Sequence, residues 1–206
     1  MIPETLHSLL APENIARLDS SEIGRYNLHT ADRYKLRTEL GPCAFEGDID
    51  VARVVLLLAN PGFDATSTQD DHSFRRDGWP LAGLHSEAPA GLRDWWHKRL
   101  KGLIATVGAQ AVSQRVAALQ ITPWASNQFD SGLCLPSRQL ILGAASHLAK
   151  RNVVLIIMRA ERLWLASNAV DKFQNRFSVK SWRCSYVSKG NLEGEAWHQV
   201  VSAIEA

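Results

Sequence analysis

The sequence predicts an α/β fold: a three-layer α/β/α sandwich around a four-stranded, mainly parallel sheet, in a single domain spanning residues 1–206. Three observations lead there. Three near-continuous apolar runs, 51–58 (VARVVLLL), 116–121 (VAALQI) and 153–158 (VVLIIM), have the length and β-branched content of strands buried on both faces, which is the habit of parallel strands. Segments of helical period lie between them, so each strand-to-strand connection is a right-handed crossover that lays a helix on the sheet. A chain of 206 residues, 46% hydrophobic and 21% charged, can also bury a core of its own without covalent staples.

Taken in order, the first 45 or so residues read as a helical preface packed against the sheet, and residues 51–58 as the first strand. A helix follows over 92–107, where Leu92, Trp95, Trp96, Leu100, Leu103, Ile104 and Val107 lie near one face, largely opposite Arg93, Lys98, Arg99 and Lys101. The second strand is 116–121. The next helix is Ser137–Lys150, entered through Pro136 with Ser137 as its N-cap. After the third strand, 153–158, a short helix covers 161–168. An alternating, more polar stretch, 177–183 (FSVKSWR), suits an edge strand. The last helix is 193–206, with Trp197, Val200, Val201 and Ile204 facing inward.

Composition narrows the function classes. Lys and Arg total 23 against 21 Asp and Glu, a formal +2, which excludes a polybasic binder but permits a local basic groove. Cys43, Cys134 and Cys184 are too few and too scattered for a disulfide framework, a metal knuckle or an iron–sulfur cluster. The seven histidines show no ligand pairing at i, i+4, and neither a glycine-rich dinucleotide loop nor a Walker loop occurs. With acidic residues near its start and no apolar run of membrane length, the chain reads as a cytoplasmic monomer without metal, other cofactor or membrane partner.

In open α/β sheets ligands sit outside the carboxyl ends of the strands, so Asn60, Thr122, Arg159 and Ser185 are expected along one edge. The strongest signal there is Ala59-Asn60-Pro61-Gly62-Phe63-Asp64, directly after the first strand. Proline and glycine force a sharp turn and let the backbone approach a ligand, while Asn60 would offer an amide carbonyl to a water or a substrate edge. The same tripeptide is also ordinary turn chemistry.

The ordered set ANPGF, a polar loop with Phe74, ITPWASNQ, VVLIIMRAERLW and SYVSKGNL resembles the uracil-DNA glycosylase superfamily over about residues 51–204. It is closest to the mismatch-specific branch and to less characterised branches ending in a Tyr-Ile/Val-Ser-x-Gly-Asn segment. The resemblance implies a monofunctional glycosylase that flips a pyrimidine out of DNA and hydrolyses its N-glycosidic bond. Asn60 matches the residue that positions the attacking water. Gly62 stands where the uracil-specific branch has a tyrosine that blocks C5, so the pocket is expected to admit larger bases. Phe63 or Phe74 would supply a stacking face, and Thr122 or Asn127 would replace the asparagine that reads the uracil edge. The family's His-Pro-Ser histidine, which stabilises the departing base, has no counterpart in Arg183-Cys184-Ser185-Tyr186-Val187-Ser188, leaving Ser185, Arg183 or a backbone N–H for that task.

Two further clusters carry chemistry. Asp70-Asp71-His72-Ser73-Phe74-Arg75-Arg76-Asp77 is the densest titratable run, and Asp71 or Asp64 could activate water; the same charges could equally cap a helix and pair at the surface. Ser185, Ser188, Lys189 and Asn191, before the last helix, together with Arg159, suit DNA phosphates, although Asn191 could simply be a cap. A pocket open at C5 and lined by polar groups fits a cytosine carrying hydroxymethyl or sugar groups, as in phage DNA, and hence an antiviral role. Repair of mispaired uracil or thymine, and a catalytically silent DNA- or nucleotide-binding relative, are the alternatives.

Overall fold

The computed structural model describes residues 5–63, 73–181 and 183–206. Its centre is β2 (Val54–Leu58), five residues that are all buried. Each fully buried aliphatic side chain of this kind contributes roughly 1.5–3 kcal/mol. Two parallel strands flank it, β3 (Val116–Gln120) on one side and β4 (Val154–Ile157) on the other, and β5 (Arg176–Ser178) extends the sheet beyond β4.

The sheet departs from expectation in count and direction. A fifth strand, β1 (Phe45–Glu46), pairs antiparallel with β3, giving a mixed sheet in the order β1-β3-β2-β4-β5. Two residues are too short to leave a periodic trace, and the pairing is set by a partner far along the chain. The preface before it is helical, with α1 (Leu6–Leu9) and α2 (Pro12–His29), and its end supplies this edge.

Side chains alternate across the strands and sort the helices into two layers. Val55, Leu57, Ala117, Leu119, Leu155 and Ile157 face α2, α5 (Ser137–Lys150), α6 (Glu161–Trp164) and α7 (Asn168–Asp171). Val54, Leu56, Leu58, Ala118 and Ile156 face α3 (Ala90–Val107), α4 (Ala109–Arg115) and α8 (Gly194–Glu205). Gly108, at φ +85°, breaks α3 from α4 in a conformation other residues rarely adopt.

Several boundaries move for local reasons. Strand β2 starts at Val54 rather than 51 because Asp48 Oδ1 accepts from the Asp50 and Val51 N–H groups and holds a turn there. The 161–168 helix splits because Ser167 Oγ accepts from Val170 N–H and starts a new turn. Strand β5 ends at Ser178 as the chain turns away onto Asn191, whose carbonyl and side-chain oxygens accept from Lys180 and Ser181. Ser137 is not a cap. It is the first residue of α5, fully buried, and its N–H (2.8 Å) and Oγ–H (2.7 Å) both donate to Asp19 of α2.

Candidate active site

The carboxyl ends of the parallel strands form one edge, and Asn60, Thr122 and Arg159 all follow directly on their strands. Thr122 N–H donates to Ala59 O, Arg159 N–H to Leu57 O, and Arg159 Nε–H to Ser185 Oγ (3.1 Å), so the four expected residues share that edge. Trp164 Nε1–H donates to Leu58 O and seals the end of β2 beneath Asn60.

The turn Asn60-Pro61-Gly62 fixes the Asn60 amide. Ser126 Oγ–H donates to Gln128 O, so Ser126 Oγ is an acceptor towards Asn60. Asn60 Nδ2 then donates both hydrogens, to Ser126 Oγ (2.9 Å) and Pro61 O (3.0 Å). What remains is Oδ1, an acceptor held in one orientation at the wall of a cleft of about 890 Å³. A carbonyl so placed can take one hydrogen of a water and aim its lone pair.

The floor of that cleft comes from β1, β3 and α3. Gln120 ends β3 on the same face as Ala118, and Glu46 of β1 stands opposite Ala118. Glu46 and Gln120 are therefore diagonal cross-strand neighbours, at the roughly 7–8 Å spacing of such pairs. Gln120 is only 2% exposed and its Oε1 has no hydrogen-bond partner. A buried acceptor left unsatisfied costs about 1–3 kcal/mol, a cost this side chain shares with the buried Nε atoms of Arg37, Arg138 and Arg176. Glu46 Oε2 accepts from Trp96 Nε1–H (3.0 Å), its one hydrogen bond among the described residues. Burial raises the Glu46 carboxyl above the ordinary glutamate range, against the opposing pull of the Trp96 donor and the Arg75 charge. Burial likewise pushes the Cys43 thiol up to about 12, with the Glu46 charge adding to the rise. Trp96 can reach Glu46 because Gly83 lies against the indole: a Cβ there would sit 2.2 Å from Trp96 Cδ1.

Gly62, Phe63, Phe74 and Asn127 all line this cleft. Gly62 is exposed, and an added Cβ would meet nothing within 4 Å among the described residues, which leave the space beside it open. The Arg37 guanidinium lies 4.5 Å over the Phe63 ring and its Nη2 donates to Asn127 Oδ1 (3.3 Å). Thr122 is buried and does not line the cleft, whereas Gln120, two residues earlier, does. Asp64 and Asp71 lie outside the described residues.

The residues assigned to phosphate do not line the cleft. Asn191 spends its side chain on Ser181 N–H, Cys184 O and Tyr186 O, which makes it a clamp for the 181–191 loop rather than a helix cap or a phosphate donor. Ser188 O accepts from the Asn191 and Leu192 N–H groups, and Lys189 is exposed at that turn. Ser185, buried, and Arg159 meet beside Arg99, whose guanidinium stacks 3.8 Å from the ring of Trp95, a cleft residue. Burial and the neighbouring Arg159 charge lower Arg99 to about 10.

Glu46, Gln120, Trp96 and Arg99 were not singled out by sequence as functional. Gln120 had a signal, being the one polar side chain inside an otherwise apolar strand. Glu46 had none, because its role depends on a two-residue strand.

Among the described residues no group of three or more His, Cys, Asp or Glu side chains could hold a metal ion, and no helix is long and apolar enough to cross a membrane. The chain matches no family model, no curated protein and no solved structure.

Proposed function

We propose that this protein is a monofunctional DNA glycosylase that hydrolyses the N-glycosidic bond of a flipped pyrimidine, preferentially a cytosine modified at C5, on a uracil-DNA glycosylase-like α/β/α fold. The observation that carries it is the Asn60 carbonyl, oriented by Ser126 and Pro61 over an aromatic cleft at the end of the central strand. Its task is to hold water against a sugar carbon that becomes oxocarbenium-like as the bond breaks. Phe63 and Phe74 offer faces for an unstacked base, and a cleft at the roomy end of the roughly 300–1,000 Å³ range of ligand sites accommodates a substituent as well. The four parallel strands with helices on both faces support the resemblance, and the open space at Gly62 supports tolerance at C5. Arg37 and Arg99, on either side of aromatic walls, are suited to backbone phosphates.

The test is a panel of duplex and single-stranded DNAs carrying uracil, thymine, cytosine, 5-hydroxymethylcytosine or glucosylated cytosine, followed by alkaline cleavage of abasic sites. Product is expected from the modified cytosines, and Asn60→Ala should lower it by about 10²-fold or more. Gly62→Tyr should suppress the bulky bases and spare the plain ones. Excision of plain uracil alone would remove the modified-base preference, and an unchanged rate in Asn60→Ala would remove Asn60 from the mechanism.

A further inference from the structure

From the cleft floor we infer that Glu46 is the proton donor to the departing base, and that with Gln120 it selects a cytosine-type edge over a uracil-type edge. The inference rests on the glycosylase reading above and supplies a leaving-group donor in place of the histidine that the 183–188 segment lacks.

The geometry leads there in three steps. Glu46 lines the cleft with one oxygen pinned by Trp96 and no cation within ion-pair distance among the described residues. The groups facing it are the Trp96 indole from α3, Gln120 and Ala118 from β3, Cys43 just before β1, and Arg75 from the segment after residue 72. The other titratable residues around the cleft are His7, Asp48, Arg76 and Asp77, and none of them pairs with Glu46. A carboxyl in that setting holds its proton to a higher pH than a solvated one, in agreement with the direction of its shift.

A protonated carboxyl needs an acceptor, and the two pyrimidine edges differ in this. Cytosine presents a bare N3 beside an exocyclic amino group; uracil presents N3–H beside a carbonyl. Gln120 lines the cleft, and once its amide turns out of its buried position its oxygen can accept from the amino group; with Glu46 as donor to N3 the pair then matches the cytosine edge. Uracil would set a donor against a donor.

The chemistry balances without a co-reactant. The water oxygen bonds to C1′ as the C1′–N1 bond breaks, and the electron pair of that bond passes to the base. The Glu46 proton goes to N3, so the base departs neutral rather than as an anion. One water hydrogen stays in the new hydroxyl and the other restores the Glu46 carboxyl. Proton donation of this kind is worth roughly 10²–10⁴ in rate.

Glu46→Gln is the decisive variant, because its amide can still accept from Trp96 and donate to N3 but cannot release a proton. Single-turnover excision of 5-hydroxymethylcytosine is measured from pH 5 to 9 in wild type, Glu46→Gln and Gln120→Leu. In parallel, binding is measured to oligonucleotides carrying hydrolysis-resistant 2′-fluoroarabino versions of 5-hydroxymethylcytidine and uridine. Wild-type excision should fall as pH rises through the Glu46 ionisation. Glu46→Gln should be about 10²-fold slower at low pH, with a flat profile and affinity within about threefold of wild type. Gln120→Leu should lose the preference for the cytosine analogue. Abasic product from wild type with an unchanged rate and profile in Glu46→Gln would overturn the Glu46 assignment and leave the glycosylase reading standing. If wild type makes no product on any DNA, the glycosylase reading falls and the donor role with it. The binding arm then decides edge selection alone: a cytosine preference that fades with pH in wild type and not in Glu46→Gln upholds it, and equal affinity for the two analogues overturns it.

Discussion

Two carboxyl side chains, the buried Asp19 and the half-buried Glu46, are treated in opposite ways by the rest of the molecule. Asp19 sits between α2 and α5 with every direction filled: Ser137 N–H, Ser137 Oγ–H and Trp124 Nε1–H (2.9 Å) all donate to it. Glu46 sits at the cleft with one donor among the described residues, Trp96 Nε1–H. Three fixed donors make a carboxylate a knot that ties the preface to the α/β core, because they replace the water it gave up. At Glu46 desolvation outweighs the opposing pull of the Trp96 donor and the Arg75 charge, so its proton is held above the ordinary glutamate range. The contrast separates a group used to build the protein from one left available to a ligand.

The largest expected effect is at the knot. Asp19→Ala strands three buried donors and should lower unfolding free energy by roughly 3 kcal/mol or more in urea titration, with Asp19→Asn losing less. A loss below about 1 kcal/mol would show that water replaces the carboxylate and would break the comparison. Next comes Gly83→Ala. Its new Cβ must push back the Trp96 indole that holds Glu46, at a cost of about 1–3 kcal/mol, together with a changed near-ultraviolet signal from tryptophan.

A smaller effect is the pH dependence of stability at Glu46. Its folded value is raised, so its contribution is full below the unfolded glutamate value and is lost as pH rises through the folded one. Glu46→Gln removes that loss. The variant should therefore gain stability relative to wild type as pH rises above the ordinary glutamate range, measured as the difference between their denaturation midpoints at each pH. A constant difference would place Glu46 in solvent-like surroundings. The smallest effect is chemical. Cys43 stays a thiol well beyond neutral pH and donates to Phe45 O, whereas Cys134 and Cys184 are exposed. Iodoacetamide at pH 8 should label Cys43 last, as mass spectrometry would read; equal rates would mean that the cleft floor is wetter than this packing implies.

Much of this was legible in the sequence, and the reason is local. Strands β2, β3 and β4 announced themselves as apolar runs because both faces of each are covered, and α5 was bounded to the residue by its period and by Pro136. Asn60 was visible because a polar residue and a tight turn follow directly on a buried strand. These are statements about a residue and its immediate neighbours, which periodicity and turn chemistry record.

The cleft floor was not legible for the opposite reason. Glu46 reads as one more charge in a polar stretch until β1 pairs with β3 and Trp96, fifty positions away, closes over it. Ser137 reads as a helix cap until Asp19, 118 positions away, takes both of its hydrogens. Sequence by itself determined which segments would be buried and where the central strand would end in Asn60-Pro61-Gly62, because burial leaves a periodic trace in the chain. Only the tertiary structure decided which polar side chains would share a face, and so which carboxyl is a knot and which faces a cleft, because cross-strand and helix-to-helix partners are set by packing between distant segments and leave no local pattern.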